Sequence, residues 1–191
     1  AGIAVAVILG VSGVVLQALV RNALAEPYVL GVSAGASTGA ALAIIVLGTQ
    51  LAGIVGLIAF GGALLATMLV LAIAGRTQAP LQLILGGLGV GFSFQAITNL
   101  IVFSSDSPET ARSVMFWMLG SLNLANWDSL LIPFLALLVT LTLMILWGRK
   151  FDAISIGDDT ARTLGTNPDH FRTLSLAIIA ACVATLVAVS G

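Results

Sequence analysis

Apolar side chains run through this chain in long stretches that no charge interrupts. Asp, Glu, Lys and Arg are absent from residues 1–20, 27–75, 77–105, 129–148 and 173–191. A charged side chain at the middle of a bilayer costs about 2.5–3.5 kcal/mol, and a helix needs about 20 residues to cross the hydrocarbon. The interval 27–75 is long enough for two crossings, and LGTQLAG, from Leu47 to Gly53, supplies a small polar break between them. The pattern therefore predicts six spans, approximately 1–20, 28–48, 51–75, 81–103, 127–148 and 171–190. The runs are continuously apolar and lack the period-two alternation of barrel strands, so the spans are helices. The expected fold class is all-α, a polytopic transmembrane helix bundle.

Composition agrees: 59% of residues are hydrophobic and 8% are charged, against roughly 25% charged in a soluble domain. Charge then orients the spans. The loops after the first, third and fifth spans, with their flanks, hold Arg21, Arg76, Arg149, Lys150, Arg162 and Arg172, while the other face holds only Arg112. The excess of Lys and Arg marks the cytoplasmic side. No ionisable residue is expected within a span, so the sequence offers no buried proton carrier of the kind a proton-coupled transporter uses. There is no G-x-x-x-x-G-K-[ST] phosphate loop either, so any ATP is hydrolysed on another polypeptide. Cys182 is the only cysteine and makes no internal disulfide; it reads as a small packing residue. His170, without a second His or a Cys, is a poor metal site. The chain lacks an initiating Met, a basic leader and a cleavage-site pattern, and it starts and stops inside apolar runs. The expectation is a fragment, residues 1–191, of a longer polytopic protein.

Between the last two predicted spans lies GDDTARTLGTNPDHF, residues 157–171, rich in charge and turn formers. The loop, 152–170, is expected to hold short helices. Ser155 and Asp158 have capping-box spacing for a helix start, Gly165 suits a left-handed helix end, and Asn167 with Pro168 suits a second start. Helix, tight turn, helix is the predicted result. Asp158 and Asp159 lie where the helix dipole favours acids, Arg162 follows, and Ile156, Ala161 and Leu164 are offered as apolar contacts. Such an element is either a solvated connector or a knob that fits a groove in a cytosolic partner.

Other positions carry chemistry as well. Gly31, Gly35 and Gly39, like Gly2, Ala6 and Gly10, form small-residue ladders for close helix packing. Gly87, Gly91, Gln95, Thr98 and Asn99 share a stripe of the fourth span, which either hydrogen-bonds to a neighbouring helix or lines a translocation path. Outside, Ser107, Pro108 and Glu109 read as a helix start, and Val114–Leu119 is an apolar run suited to an interfacial or re-entrant helix. Trp117 and Trp127 suit an aromatic belt. Asp106, Glu109 and Asp128 make this face acidic, for solvation or for docking a binding protein. GVSAG, from Gly31 to Gly35, matches G-x-S-x-G, and with His170 it raises an intramembrane serine hydrolase using Ser33. That motif needs a strand-to-helix turn in a soluble sheet, whereas Ser33 opens an apolar helix.

GDDTARTLG resembles the coupling loop of ABC importer permeases, with Asp159, Thr160, Ala161 and Gly165 at the positions of its acidic, small, Ala and Gly pattern. RNALAEPYVLGVSAGAS (Arg21 to Ser37) and FWMLGSL (Phe116 to Leu122) look like two further signatures, in the same order, of the FecCD-like permeases of iron-siderophore, haem and vitamin B12 uptake. The resemblance covers essentially the whole chain. One departure is Ala23, where the family usually has Pro, and family members continue beyond a VSG like residues 189–191 into further helices. The resemblance implies a permease domain, part of a ten-span homodimeric permease of the bacterial cytoplasmic membrane. It binds two cytosolic ATPase subunits, which hold the ATP and Mg, and is served by an extracytoplasmic substrate-binding protein. No cofactor on this chain, no catalytic residue and no nucleic-acid partner are implied; lipid surrounds it. ATPase coupling falls to Gly157, Asp158, Asp159, Thr160, Ala161, Arg162, Leu164 and Gly165. In that loop Ala161 is expected to allow close approach and Arg162 to meet a carboxylate or carbonyl of the ATPase. A secondary transporter or channel not coupled to ATP is the alternative.

Overall fold

The computed structural model describes residues 2–74, 80–121 and 131–190, and among them every regular element is helical. The helices are α1 (Gly2–Val20), α2 (Val32–Ala41), α3 (Ala52–Ala74), α4 (Pro80–Phe103), α5 (Pro108–Leu119), α6 (Leu131–Ile156), α7 (Asp158–Thr163) and α8 (Pro168–Ser190). Five of them, α1, α3, α4, α6 and α8, are long and apolar enough to cross a membrane. Arg76, Leu122, Trp127, Asp128, residues 127–130 of the predicted fifth span and Gly191 of the VSG lie outside the described residues.

The second predicted span differs most from expectation. A 3-10 turn, Pro27–Leu30, comes first and is closed by Gly31 at φ +73°. Helix α2 then begins, and it continues through a π-helical turn, Leu42–Val46, whose last bond runs from the Leu47 N–H to the Leu42 carbonyl. The continuous helix is Val32–Val46, short of the roughly 20 residues a perpendicular crossing takes. Left-handed backbone at Gly31 and at Gly48 (φ +63°) sets its two limits. The expected six crossings are thus five long helices and one short one.

Two other boundaries also move. Helix α6 runs to Ile156, not to 148, because Arg149, Lys150, Phe151 and Asp152 include no helix breaker and the first glycine after them is Gly157. Ser155 is therefore inside a helix, with its hydroxyl donating to the Asp152 carbonyl at 2.7 Å. The expected capping box does not form, since an N-cap must be non-helical. Asn167 and Pro168 do start a helix: Pro168 opens α8, and the His170 N–H donates to Asn167 Oδ1 at 3.3 Å. That start belongs to the last span itself rather than to a separate turn. On the other face α5 opens as expected, with Thr110 N–H donating to the Ser107 hydroxyl at 3.4 Å.

Helices α2, α3, α4 and α8 form the packed centre, and α6 lies against α1 and α8. Small residues make the centre possible. A Cβ on Gly35 would overlap the Gly62 carbonyl oxygen and lie 2.7 Å from Ala66 Cβ, and one on Gly39 would lie 2.8 Å from Ala59 Cα. Backbones approach this closely only where side chains are missing. Gly31, by contrast, serves as a left-handed corner, with Ala66 Cβ 3.5 Å from where its own Cβ would be. Gly2, Ala6 and Gly10 face outward from α1, and nothing described lies within 4 Å of a Cβ at Gly10. Between α2 and α4 the buried hydroxyls of Thr38 and Thr98 lie 2.8 Å apart, and Thr38 Oγ1 is 2.9 Å from the Phe94 carbonyl. Cys182 is buried, as its packing reading requires.

Candidate functional site

The charged segment folds into a compact unit at the basic end of the bundle. Gly157, in extended backbone, separates α6 from the six-residue α7. Asp158 and Asp159 occupy the first turn of α7 and Arg162 its last, the signs that a helix dipole favours at each end. Gly165 follows at φ +78°. Its N–H donates to the Arg162 carbonyl at 3.0 Å, and the Thr166 N–H reaches back to the Ala161 carbonyl at 2.9 Å. This bond pair is a Schellman ending, for which a glycine is the favoured residue.

The two ends of α7 face different surroundings. Asp158 turns inward: its Oδ1 accepts from Arg172 Nη2 at 2.9 Å and also from Arg21 Nη2. Arg21 adds an Nε donation to the Ile154 carbonyl at 3.0 Å, and Arg172 adds one to the Leu19 carbonyl at 3.1 Å. Burial pushes the Asp158 carboxyl upward, but the charges and hydrogen bonds of Arg172 and then Arg21 outweigh it, so its pKa lies below the ordinary carboxylate value. A carboxyl depressed in this way stabilises the fold above its unfolded pKa of about 3.9, and the contribution is lost as pH falls through the lower folded value. Asp159, Arg162 and Leu164 turn outward. The Asp159 side chain is fully exposed, and Arg162 reaches Asp159 at 3.3 Å and Asp169 at 4.0 Å while staying over half exposed. Leu164 and Ile156 are exposed apolar side chains beside them.

Two expectations change here. Ala161 is fully buried within this chain, so it seats α7 on its own bundle and offers no surface to a partner. Arg172 is also buried, at 2% exposure, so an ionisable residue does lie within a predicted span; the carboxylate of Asp158 balances its charge there. Thr160 uses its carbonyl to accept from Thr163 Oγ1 at 2.8 Å and from the Leu164 N–H at 3.2 Å. The Arg21–Asp158–Arg172 cluster is not visible in the loop motif. The available signal was Arg172 itself, an arginine at the edge of an apolar run, which needs a partner.

The stripe on α4 is divided by the structure. Gly87 and Thr98 are buried; a Cβ on Gly87 would overlap the Val29 carbonyl. Gly91 and Gln95 are half-buried and Asn99 is exposed, with Gln95 Nε2 donating to Asn99 Oδ1 at 3.1 Å. The first pair thus meets protein, and the Gln95–Asn99 pair faces outward from the described bundle. At the other end, Asp106 lines an open recess of about 500 Å³ with Ser104, Ser105, Ser107 and Thr110. Trp117 of α5 packs against the core. Ser33 sits in the first turn of α2, after a 3-10 turn and Gly31, with no strand before it; the strand-to-helix elbow is missing. His170 is exposed at the start of α8. Among the described residues no cluster of His, Cys, Asp or Glu forms a metal site.

Long apolar helices, a basic end and a capped short helix outside the last span define a multi-pass helical membrane protein. The chain belongs to the FecCD transport family, whose model matches residues 1–191. It is 35% identical, over 94% of this chain and 54% of the relative, to a Helicobacter pylori protein described as a probable iron chelatin transport system permease. It is 33% identical to the cobalamin import system permease of Halobacterium salinarum, covering all of this chain and 51% of the relative. A solved structure described as an inward-facing metal-chelate type ABC transporter superposes with TM-score 0.84 at 30% identity, over 98% of this chain and 60% of that one. The chain therefore spans about half the length of the curated relatives it matches. As a multi-pass member of this family it resides in the cytoplasmic (inner) membrane.

Proposed function

We propose that this chain is part of the membrane-spanning permease of an ABC importer, carrying an iron-chelate, haem or cobalamin-type ligand into the cytoplasm. The observation that carries this reading is α7. It is a six-residue helix bounded by Gly157 and Gly165, and it holds Asp159, Arg162 and Leu164 exposed at the basic end. A short, rigid element with a mixed charged and apolar face suits the groove of a cytosolic ATPase. In this reading ATP and Mg are bound on two such ATPase subunits. A second permease copy completes the path, and an extracytoplasmic binding protein delivers the ligand. Gln95 and Asn99, polar and turned outward on α4, are the side chains that best suit the path, because lipid disfavours them.

The test is recovery of partners from detergent with the full-length protein. The native protein is expected to co-purify an ATPase bearing a phosphate loop, identified by mass spectrometry. Arg162→Glu places a like charge beside Asp159 and Asp169 and should weaken that recovery about tenfold, as reversed charges do at interfaces. An absence of any ATPase from the intact native complex would favour a transporter that does not use ATP. Ser33→Ala separates the hydrolase reading: transport is expected to stay within about twofold of native, as for a substitution that removes no packed or paired group. Complete loss of transport with normal assembly would point back to Ser33 as a nucleophile.

A further inference from the structure

We infer that Asp158 is a positioning residue, the pin of an ionic joint that makes α7 move as one body with the ends of α1, α6 and α8. Its functional meaning rests on the importer reading above. The geometry gives Asp158 a role opposite to that of Asp159. Asp159 is fully exposed and pairs with Arg162 of its own short helix, whereas Asp158 is engaged by Arg21 and Arg172 from other elements of this chain.

Three helix ends converge on the joint. The last carbonyls of a helix have no partner within it, and two of these are taken by the arginines: Leu19 near the end of α1 accepts from Arg172, and Ile154 near the end of α6 accepts from Arg21. Positive charge is favoured at both ends, and negative charge is favoured at the start of α7, where Asp158 stands. Each arginine therefore satisfies a helix carbonyl with one nitrogen and holds Asp158 with another. Arg21 does so from left-handed backbone at φ +50°, a conformation that a non-glycine residue keeps only where its surroundings hold it. Arg172 is rooted in the second turn of α8, with a side chain 3% exposed. Ala161, buried one turn along α7, seats the same face. A push on the outward face of α7 therefore reaches the ends of three membrane helices without passing through a flexible linker.

The experiment uses the full-length protein in nanodiscs, alone and assembled with its ATPase, with a nitroxide on Thr163→Cys. In the native background the label should report α7 as immobile as the bundle. Asp158→Asn should sharpen the spectrum and lower ligand transported per ATP by about two- to thirty-fold, the range for residues that carry coupling between sites, with the ATPase still bound. Asp158→Glu, which keeps the charge, should restore most of the coupling. Should Asp158→Asn fail to assemble, Arg21→Gln removes one arm while leaving the Arg172 pair, and an intermediate mobility and coupling are expected. Native mobility and stoichiometry in both variants would overturn the joint. So would loss of the ATPase with an unchanged spectrum, which would make Asp158 a partner contact. The label reads the joint even if no ATPase binds the native protein, an outcome that would instead sink the importer reading.

Discussion

Gly35→Ala is expected to cost about 3 kcal/mol or more of stability, the upper range for overpacking a core, although it adds one methyl group. That methyl would overlap the Gly62 carbonyl oxygen and press on the Ala66 Cβ at 2.7 Å. The first of these atoms is backbone and the second a Cβ, so neither can swing aside as the end of a long side chain would. Gly61→Ala is the matched control. It lies next to Gly62 on α3, but a Cβ there meets nothing within 4 Å, and the change should stay within about 0.5 kcal/mol. Thermal unfolding of the two full-length variants in the same detergent makes the comparison. Equal melting temperatures would mean that α2 and α3 do not pack as described.

Gly165→Val is expected to uncouple rather than unfold. At φ +78° a β-branched residue pays about 1–2 kcal/mol or more, and the turn has room to relax because nothing lies within 4 Å of a Cβ there. The Schellman bonds to Arg162 and Ala161 should break, and α7 should lose its fixed angle to α8. Transport per ATP should then fall about tenfold, while circular dichroism shows the same helix content. Gly165→Asn, which tolerates left-handed backbone, should be much milder. Full coupling in the Val variant would count heavily against a docking role for α7.

What the sequence made legible was local or imposed by the bilayer. Uncharged intervals long enough to cross a membrane gave the long helices, because lipid penalises charge wherever the chain goes. Gly165, Asn167 and Pro168 could be placed because each satisfies backbone groups a few residues away. Ser155 was misread for a related reason. Its spacing to Asp158 fits a cap, but a helix already arriving from α6 leaves no non-helical residue for the cap to occupy. The shortness of α2 depends on left-handed glycines at both of its limits, and nothing in an unbroken apolar run reveals which glycines take that conformation. The joint at Asp158 was the least legible feature. Arg21 is 137 residues from Asp158 in sequence, and Arg172 reaches back 153 residues to Leu19, so neither partnership has a short-range signature.

Helix α6 continues from Gly148 to Ile156 beyond its apolar run, which at ~1.5 Å per residue carries its end about 12 Å further. The extension brings the Ile154 carbonyl to Arg21, just past the end of α1, so the last turns of α6 reach the place where α7 is held. In the importer reading, a load placed on α7 would enter α6 through unbroken helix rather than through a loop, and would be shared at once with α1 through Arg21. Trimming one turn from α6 would draw Ile154 away from Arg21 and leave α7 too short a tether to reach its arginines.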